Sequence, residues 1–174
     1  QWTGTTFVTS TSKFGLTSGS SAQLADSTTP FTSGYINTLY GKATSAQYAD
    51  LAERYESDAG YLPGTVVKIG GEKEITQTTD ADDTDVFGVI SDNPAYLLNA
   101  GLARTKLALP VALEGRVPVK VIGPVKKGDR LVSSSTPGTA KASNKPNTLA
   151  IIGRALQSSD EEGIRTIEVV VGVR

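Results

Sequence analysis

The sequence predicts a mainly β protein: a compact sandwich- or barrel-like C-terminal domain, preceded by a short helix and an extended Ser/Thr-rich stem. Three observations carry that prediction. From about Gly60 onward short β-prone runs alternate with Gly-, Pro- and Asn-containing turns. Only one stretch, 43–58, has helical spacing of its apolar residues. The first 40 residues are about half Ser, Thr and Gly, with apolar residues scattered singly or in pairs. The expected divisions are a stem at 1–42, a helical junction at 43–58 and a β-rich domain at 59–174.

The stem contains Trp2, Phe7, Val8, Phe14, Leu16, Leu24, Phe31, Tyr35, Ile36 and Leu39, none of them in a run. Such a segment cannot offset its ordering entropy by burying its own surface. Two readings fit: a flexible linker, or a stem that orders when several copies wrap around one another. The spaced aromatics favour the second. Ser21-Ala22-Gln23-Leu24-Ala25-Asp26 echoes as Ser45-Ala46-Gln47-Tyr48-Ala49-Asp50, the trace of a repeated unit. The chain opens on Gln1 and has no Met, which implies a fragment or a processed product.

In the junction, Tyr48, Leu51, Ala52 and Tyr55 fall at i, i+3, i+4 and i+7, one face of a helix. Thr44 or Ser45 is the candidate N-cap. The expected strands then follow in order: 65–69, 74–77, 86–91, 106–114, 116–122, 130–134, 139–142, 149–156 and 166–173. Val117, Val119 and Val121 alternate with Arg116, Pro118 and Lys120, as on a half-buried strand. Pro118 has no N–H and so belongs at an edge or a bulge. Val169-Val170-Val171 and Leu149-Ala150-Ile151-Ile152 are continuous apolar runs, which read as strands buried on both faces.

Composition narrows the chemistry. With no Cys there are no disulfides, thiolate metal sites or cysteine nucleophiles. With no His the commonest general base and metal ligand are missing. A net charge of −1 gives no reason to expect nucleic acid as a partner, and no apolar run is long enough for a membrane-inserted helix. The remaining candidates each have a plainer reading. Gly123-Pro124-Val125-Lys126-Lys127-Gly128 has phosphate-loop glycine spacing, but Asp129-Arg130 stand where Lys and Ser/Thr should, so a turn is expected. Asp80, Asp82, Asp83 and Asp85 form an acidic loop that is a solvated tip or a cation site; it lacks the Gly and Glu of a calcium loop. Ser133-Ser134-Ser135 reads as a polar loop, Lys127-Gly128-Asp129 as a chance tripeptide, and Glu53, Glu56 and Asp58 as a charged helix face. Tyr96 reads as a packing residue before Leu97-Leu98. No catalytic, cofactor-binding or metal-ligating residue is assigned, no cofactor is expected, and the protein is expected not to be an enzyme.

A series of blocks then carries a family resemblance. Tyr48-Ala49-Asp50-Leu51-Ala52-Glu53-Arg54-Tyr55 is followed by Tyr61-Leu62-Pro63-Gly64-Thr65-Val66-Val67, Phe87-Gly88-Val89-Ile90-Ser91 and Asn93-Pro94-Ala95-Tyr96-Leu97-Leu98-Asn99. Then come 111–121, 123–129 and Ile151-Ile152-Gly153-Arg154-Ala155-Leu156. In this order, over about 43–174, they resemble the C-terminal domain of tail-fibre and other virion structural proteins of tailed bacteriophages, notably marine and cyanobacterial phages. The Tyr-Ala-Asp-Leu-Ala-Glu and Gly-Arg-Val-Pro-Val blocks also resemble the intramolecular-chaperone peptidase domain of phage appendages. The resemblance implies a virion component: a homotrimeric tail fibre, spike or appendage that presents a β-domain for host attachment. Its implied partners are its own copies, other virion proteins on the N-terminal side and a host surface receptor. A capsid decoration or head-fibre protein and a self-cleaving chaperone domain are the alternatives.

Overall fold

The structure, a computed structural model, describes residues 49–104 and 106–173. The expected stem at 1–42, its Ser21–Asp26 repeat and residues 43–48 of the junction lie outside the described residues. Within them the chain is mainly β, as the turn-punctuated sequence requires. The first five strands are β1 (Asp50–Glu56), β2 (Val66–Ile69), β3 (Ile75–Gln77), β4 (Val86–Ile90) and β5 (Tyr96–Leu98). A long β6 (Ala108–Val121) is followed by β7 (Arg130–Ser133), β8 (Ala140–Ala142), β9 (Ile151–Ala155) and β10 (Arg165–Val171). Two 3-10 turns, Ala100–Arg104 and Thr148–Ala150, precede β6 and β9.

Five strands close a barrel in the order β6–β10–β9–β7–β8 and back to β6. The β6–β10 ladder runs from Val121↔Arg165 to Gly115↔Val171. The closing seam is slight: β8 meets β6 in parallel at Val121↔Ala140, and the Ile122 N–H donates to the Ala140 carbonyl at 2.9 Å. Val117, Val119 and Val121 point inward, where they meet Leu131, Ile152, Ile167, Val169 and Val171. Period-two alternation on β6 therefore fills the barrel. Of the two apolar runs, Ile151 and Ile152 are buried on both faces of β9, while Leu149 is exposed and Val170 is half-buried.

The N-terminal half of β6 belongs to a second sheet, β5–β1–β6–β4–β2–β3. This sheet curls until the chain just beyond β1 touches β3. A parallel bridge joins Ser57 to Ile75, and the Glu74 N–H donates to the Glu56 carbonyl at 3.1 Å. Inside the curl lie Val67, Ile75, Ile90 and Val111, flanked by Tyr55, Tyr61, Phe87, Leu109 and Leu113. Tyr55 and Phe87 meet edge to face, 4.8 Å between centroids. Adjacent residues on three strands feed different cores. Val66, Val89 and Ala112 face the barrel; Val67, Ile90 and Val111 face the second core. The sheet β2–β4–β6 is thus a shared wall, buried on both sides.

Three sequence expectations are corrected. The helix expected at 43–58 is a strand over Asp50–Glu56. β1 pairs antiparallel with β6 along its whole length and in parallel with β5 at Leu51↔Tyr96, Ala52↔Leu97 and Glu53↔Leu98. Backbone bonding to two neighbours outweighs the weak helical preference of a short segment. Second, Gly115 does not end a strand. The runs expected at 106–114 and 116–122 are one strand that passes through Gly115 at φ 107°. A Cβ there would sit 2.2 Å from the Ala49 carbonyl oxygen, so this glycine permits the close crossing of β1 and β6. Third, Tyr96 is not packed: it lies on β5 and is 66% exposed beside Leu51.

Candidate functional site

The acidic loop is held by lysines. Asp83 Oδ2 accepts from Lys68 Nζ at 2.7 Å, and Asp82 pairs with Lys141 at 2.9 Å. Asp83 Oδ1 accepts the Asp85 N–H, and the Ser133 hydroxyl accepts the Asp83 N–H, both at 2.9 Å. The hydrogen bond from Lys68 holds the Asp83 carboxyl below the usual carboxylate range, and the same contact raises Lys68. Asp82 takes φ 58°, a conformation Asp tolerates in turns. Asp80 shares Lys68 with Asp83 at 3.7 Å, while Asp82 turns to Lys141, so two lysines neutralise three of the four carboxylates. Among the described residues no three Asp, Glu, His or Cys side chains converge closely enough to hold a metal ion.

The glycine-spaced loop at 123–128 has no free cradle for phosphate. The Val125 N–H donates to the Ser159 carbonyl and the Gly128 N–H to the Ala155 carbonyl. The Lys126 N–H is taken by the Asp129 carboxylate and the Lys127 N–H by the Ser158 hydroxyl. It is a turn pinned to β9 and the strand-free segment after it. The serine run differs from the expected polar loop: Ser133 and Ser134 are buried, and Ser134 Oγ lies 2.6 Å from Thr139 Oγ1. Ser135 alone is exposed.

Glu53, Glu56 and Asp58 sit on or just beyond a strand, each with its own partner. Glu53 accepts from the Tyr55 hydroxyl at 2.9 Å and Asp58 from the Tyr61 hydroxyl at 2.6 Å. Glu56 is clamped by Lys106 at 2.5 Å and Lys73 at 2.8 Å, which together hold its carboxyl low. Burial, then the Glu53 hydrogen bond, pushes the Tyr55 phenol up to about 12. These pairs serve the fold and leave no free acid–base couple.

What remains is a cavity at the start of β1. Arg116, Pro118 and Lys120 lie along one edge of β6. The Arg116 N–H donates to the Ala49 carbonyl at 3.2 Å and the Lys120 N–H to the Gly64 carbonyl at 2.9 Å. Between them stands Pro118. Its partner on β10, Glu168, bonds to Leu156 and Gln157 on the β9 side. The Pro118 nitrogen accordingly faces away from β10, where no strand pairs with it. A proline suits this gap because it has no N–H to leave unsatisfied. The gap opens into a cavity of about 300 Å³ lined by Asp50, Ser91, Asp92, Asn93, Arg116 and Glu168, with Val117 and Pro118 as apolar wall. Asp50 is 5% exposed, and its Oδ2 has no hydrogen-bond donor among the described residues.

Neither a family model nor a curated protein matches the sequence. Solved structures do. The pre-mature bacteriophage phi29 gene product 12 aligns over 77% of this chain and 23% of its own, at 14% identity and TM-score 0.57. A C-terminal fragment of the same gene product aligns over 70% of this chain and 99% of its own, at 17% identity and TM-score 0.50. The fold is shared with a phage protein. The phage resemblance drawn from the sequence therefore holds at the level of fold. The chain spans less than a quarter of the pre-mature protein's length.

Nothing in the sequence singled out Asp50 beyond its place in the Tyr-Ala-Asp-Leu-Ala-Glu block. As a helix residue it reads as solvated. Only the strand assignment turns its side chain inward, two residues before the fully buried Ala52. In the sequence Ser91 is likewise only the end of a strand, yet it is buried beside Asp50 at the cavity.

Proposed function

We propose that this chain is a structural component of a bacteriophage virion: a homotrimeric tail fibre, spike or appendage whose β-domain stands at a terminal position and serves host attachment, without catalysis. The observation that carries the reading is a fold shared with the C-terminal fragment of phi29 gene product 12, nearly all of which aligns with this chain. The exposed apolar row of Leu51, Tyr96 and Leu98 on neighbouring strands supports association with other protein surfaces. So does a Ser/Thr-rich stem that cannot form a core alone. Light scattering of the full chain tests the assembly: three times the 18.2 kDa chain mass is expected, and a monomer overturns it. Immunogold labelling of phage particles tests the location, with label at an appendage expected and label over the capsid faces refuting it.

A second reading is a self-cleaving chaperone domain. One observation favours it: of the two similar structures, one is of a pre-mature protein and the other of its C-terminal fragment. Intact-mass spectrometry of freshly made full chain decides. A single uncleaved species removes this reading; a fragment beginning near the first strand replaces the first reading with it.

A further inference from the structure

We propose that the cavity between the start of β1 and the Ser91–Asn93 turn is a binding site for an organic cation, an alkylammonium or guanidinium group. The argument begins with Asp50. A carboxylate withdrawn from water is costly unless donors replace the lost hydration. Asp50 is only 5% exposed, and its Oδ2 has no donor among the described residues. Three backbone donors near it are already committed. The Ala95 N–H donates to the Asp50 carbonyl, the Arg116 N–H to the Ala49 carbonyl and the Ser91 N–H to the Pro110 carbonyl. Oδ2 is left with no donor among the described residues, and a donor group that enters the cavity would supply one.

The walls specify its character. Three carboxylates line the space, Asp50, Asp92 and Glu168, against one cation, Arg116, which forms no ion pair with any of them. The surplus is two negative charges, and the ligand that balances it is positive. A bare metal ion fits poorly, because the carboxylates do not converge as a ligand set. An organic cation reaches separated acceptors through several N–H groups, and its carbon stem can lie on Val117 and Pro118. A volume of about 300 Å³ suits a group of that size rather than a folded segment. The chemistry has two sources, a free polyamine or a Lys or Arg side chain of another copy of the chain.

The test uses the full chain with two probes, putrescine and N-acetylarginine amide, and calcium as the metal control. Calorimetric titration is expected to show saturable binding of at least one organic probe and none of calcium. Asp50→Asn keeps the side chain's size and is expected to weaken binding at least about tenfold, since a hydrogen bond to a charged group is lost. Should Asp50→Asn fail to fold, Asp92→Asn combined with Glu168→Gln at the rim gives the same reading, with a similar loss expected. Light scattering during the titration separates the sources. A fall in mass identifies displacement of a neighbouring copy's side chain, and an unchanged mass identifies a site for the free cation. The proposal is overturned if neither organic probe binds, if calcium binds more tightly than both, or if the charge-neutral variants bind as well as the parent.

Discussion

At the scale of single residues the fold depends on a few positions whose neighbours leave no alternative. Gly115 combines φ 107° with an approach of 2.2 Å between its virtual Cβ and the Ala49 oxygen. Gly115→Ala must either push β1 off β6 or reverse the backbone. A loss of about 3 kcal/mol is expected in denaturant titration, and a change under about 0.5 kcal/mol would show that the crossing is looser than described. Asp83 and Lys68 set a pH dependence. Asp83 is held below its ordinary value chiefly by the Lys68 hydrogen bond, so its stabilisation exists above the usual carboxylate range and fades as pH falls through the lowered value. Lys68 is raised chiefly by the same bond, so its share is present below the usual lysine range and is lost as pH rises through the raised value. Asp83→Asn removes the first contribution and the larger part of the second, leaving Lys68 with Asp80 at 3.7 Å; it is expected to cost about 1–2 kcal/mol at pH 7 and to flatten the acid limb. Unfolding midpoints at pH 3, 7 and 11 check this; a variant whose acid limb is as steep as the parent's would show that other carboxylates control it. Of these residues the sequence made Gly115 visible but read it as a break, because a glycine between two β runs signals a turn far more often than a close crossing. The acidic loop was legible as a cluster. Its lysines were not, since Lys68 meets the loop only through the β2–β4 pairing and Lys141 comes from β8, 59 residues from Asp82.

At the scale of elements, most strands were legible and the exceptions have a common cause. Turn chemistry marks the ends of β2, β4, β7 and β10 in the sequence itself. β5 follows the Asn93-Pro94 turn but is only three residues long, and β1 carries helical spacing; both are strands because they have neighbours. Leu51 and Ala52 separate the two descriptions of 50–56. On a helix both belong to one buried face; on β1 they point to opposite sides, Leu51 37% exposed and Ala52 fully buried. Leu51→Lys is therefore expected to change stability by less than about 0.5 kcal/mol, as at exposed sites, and Ala52→Lys by more than about 3 kcal/mol, as for an unpaired charge in a core. Equal losses in thermal unfolding would return the segment to a helix. The same strand geometry is why the cavity could not be read beforehand. Asp50 turns inward only when the segment is extended, and the gap at Pro118 is visible only once Glu168 is seen bonding to the other side.

At the scale of the whole described domain, two cores raise the question of whether they fold as one. The shared wall answers it on physical grounds. Val66 and Val67, Val89 and Ile90, and Val111 and Ala112 are neighbours in sequence that face opposite cores. Melting one core releases a sheet whose other face covers the second, and β6 runs through both. Neither half can lose its packing without exposing the other, so the domain should unfold in a single transition. Leu131→Ala creates a cavity in the barrel and Ile75→Ala one in the second core; each side chain is fully buried. Each is expected to cost about 2–5 kcal/mol. Each should lower the one common melting point, reported alike by near-ultraviolet signals from Tyr55 and Tyr61 in the second core and by amide exchange in β9 and β10 of the barrel. Two separated transitions, with Ile75→Ala moving only the tyrosine signal, would mean that the wall transmits nothing and that the barrel stands alone. A single transition would make β6 the element through which a contact at either core is felt by the other.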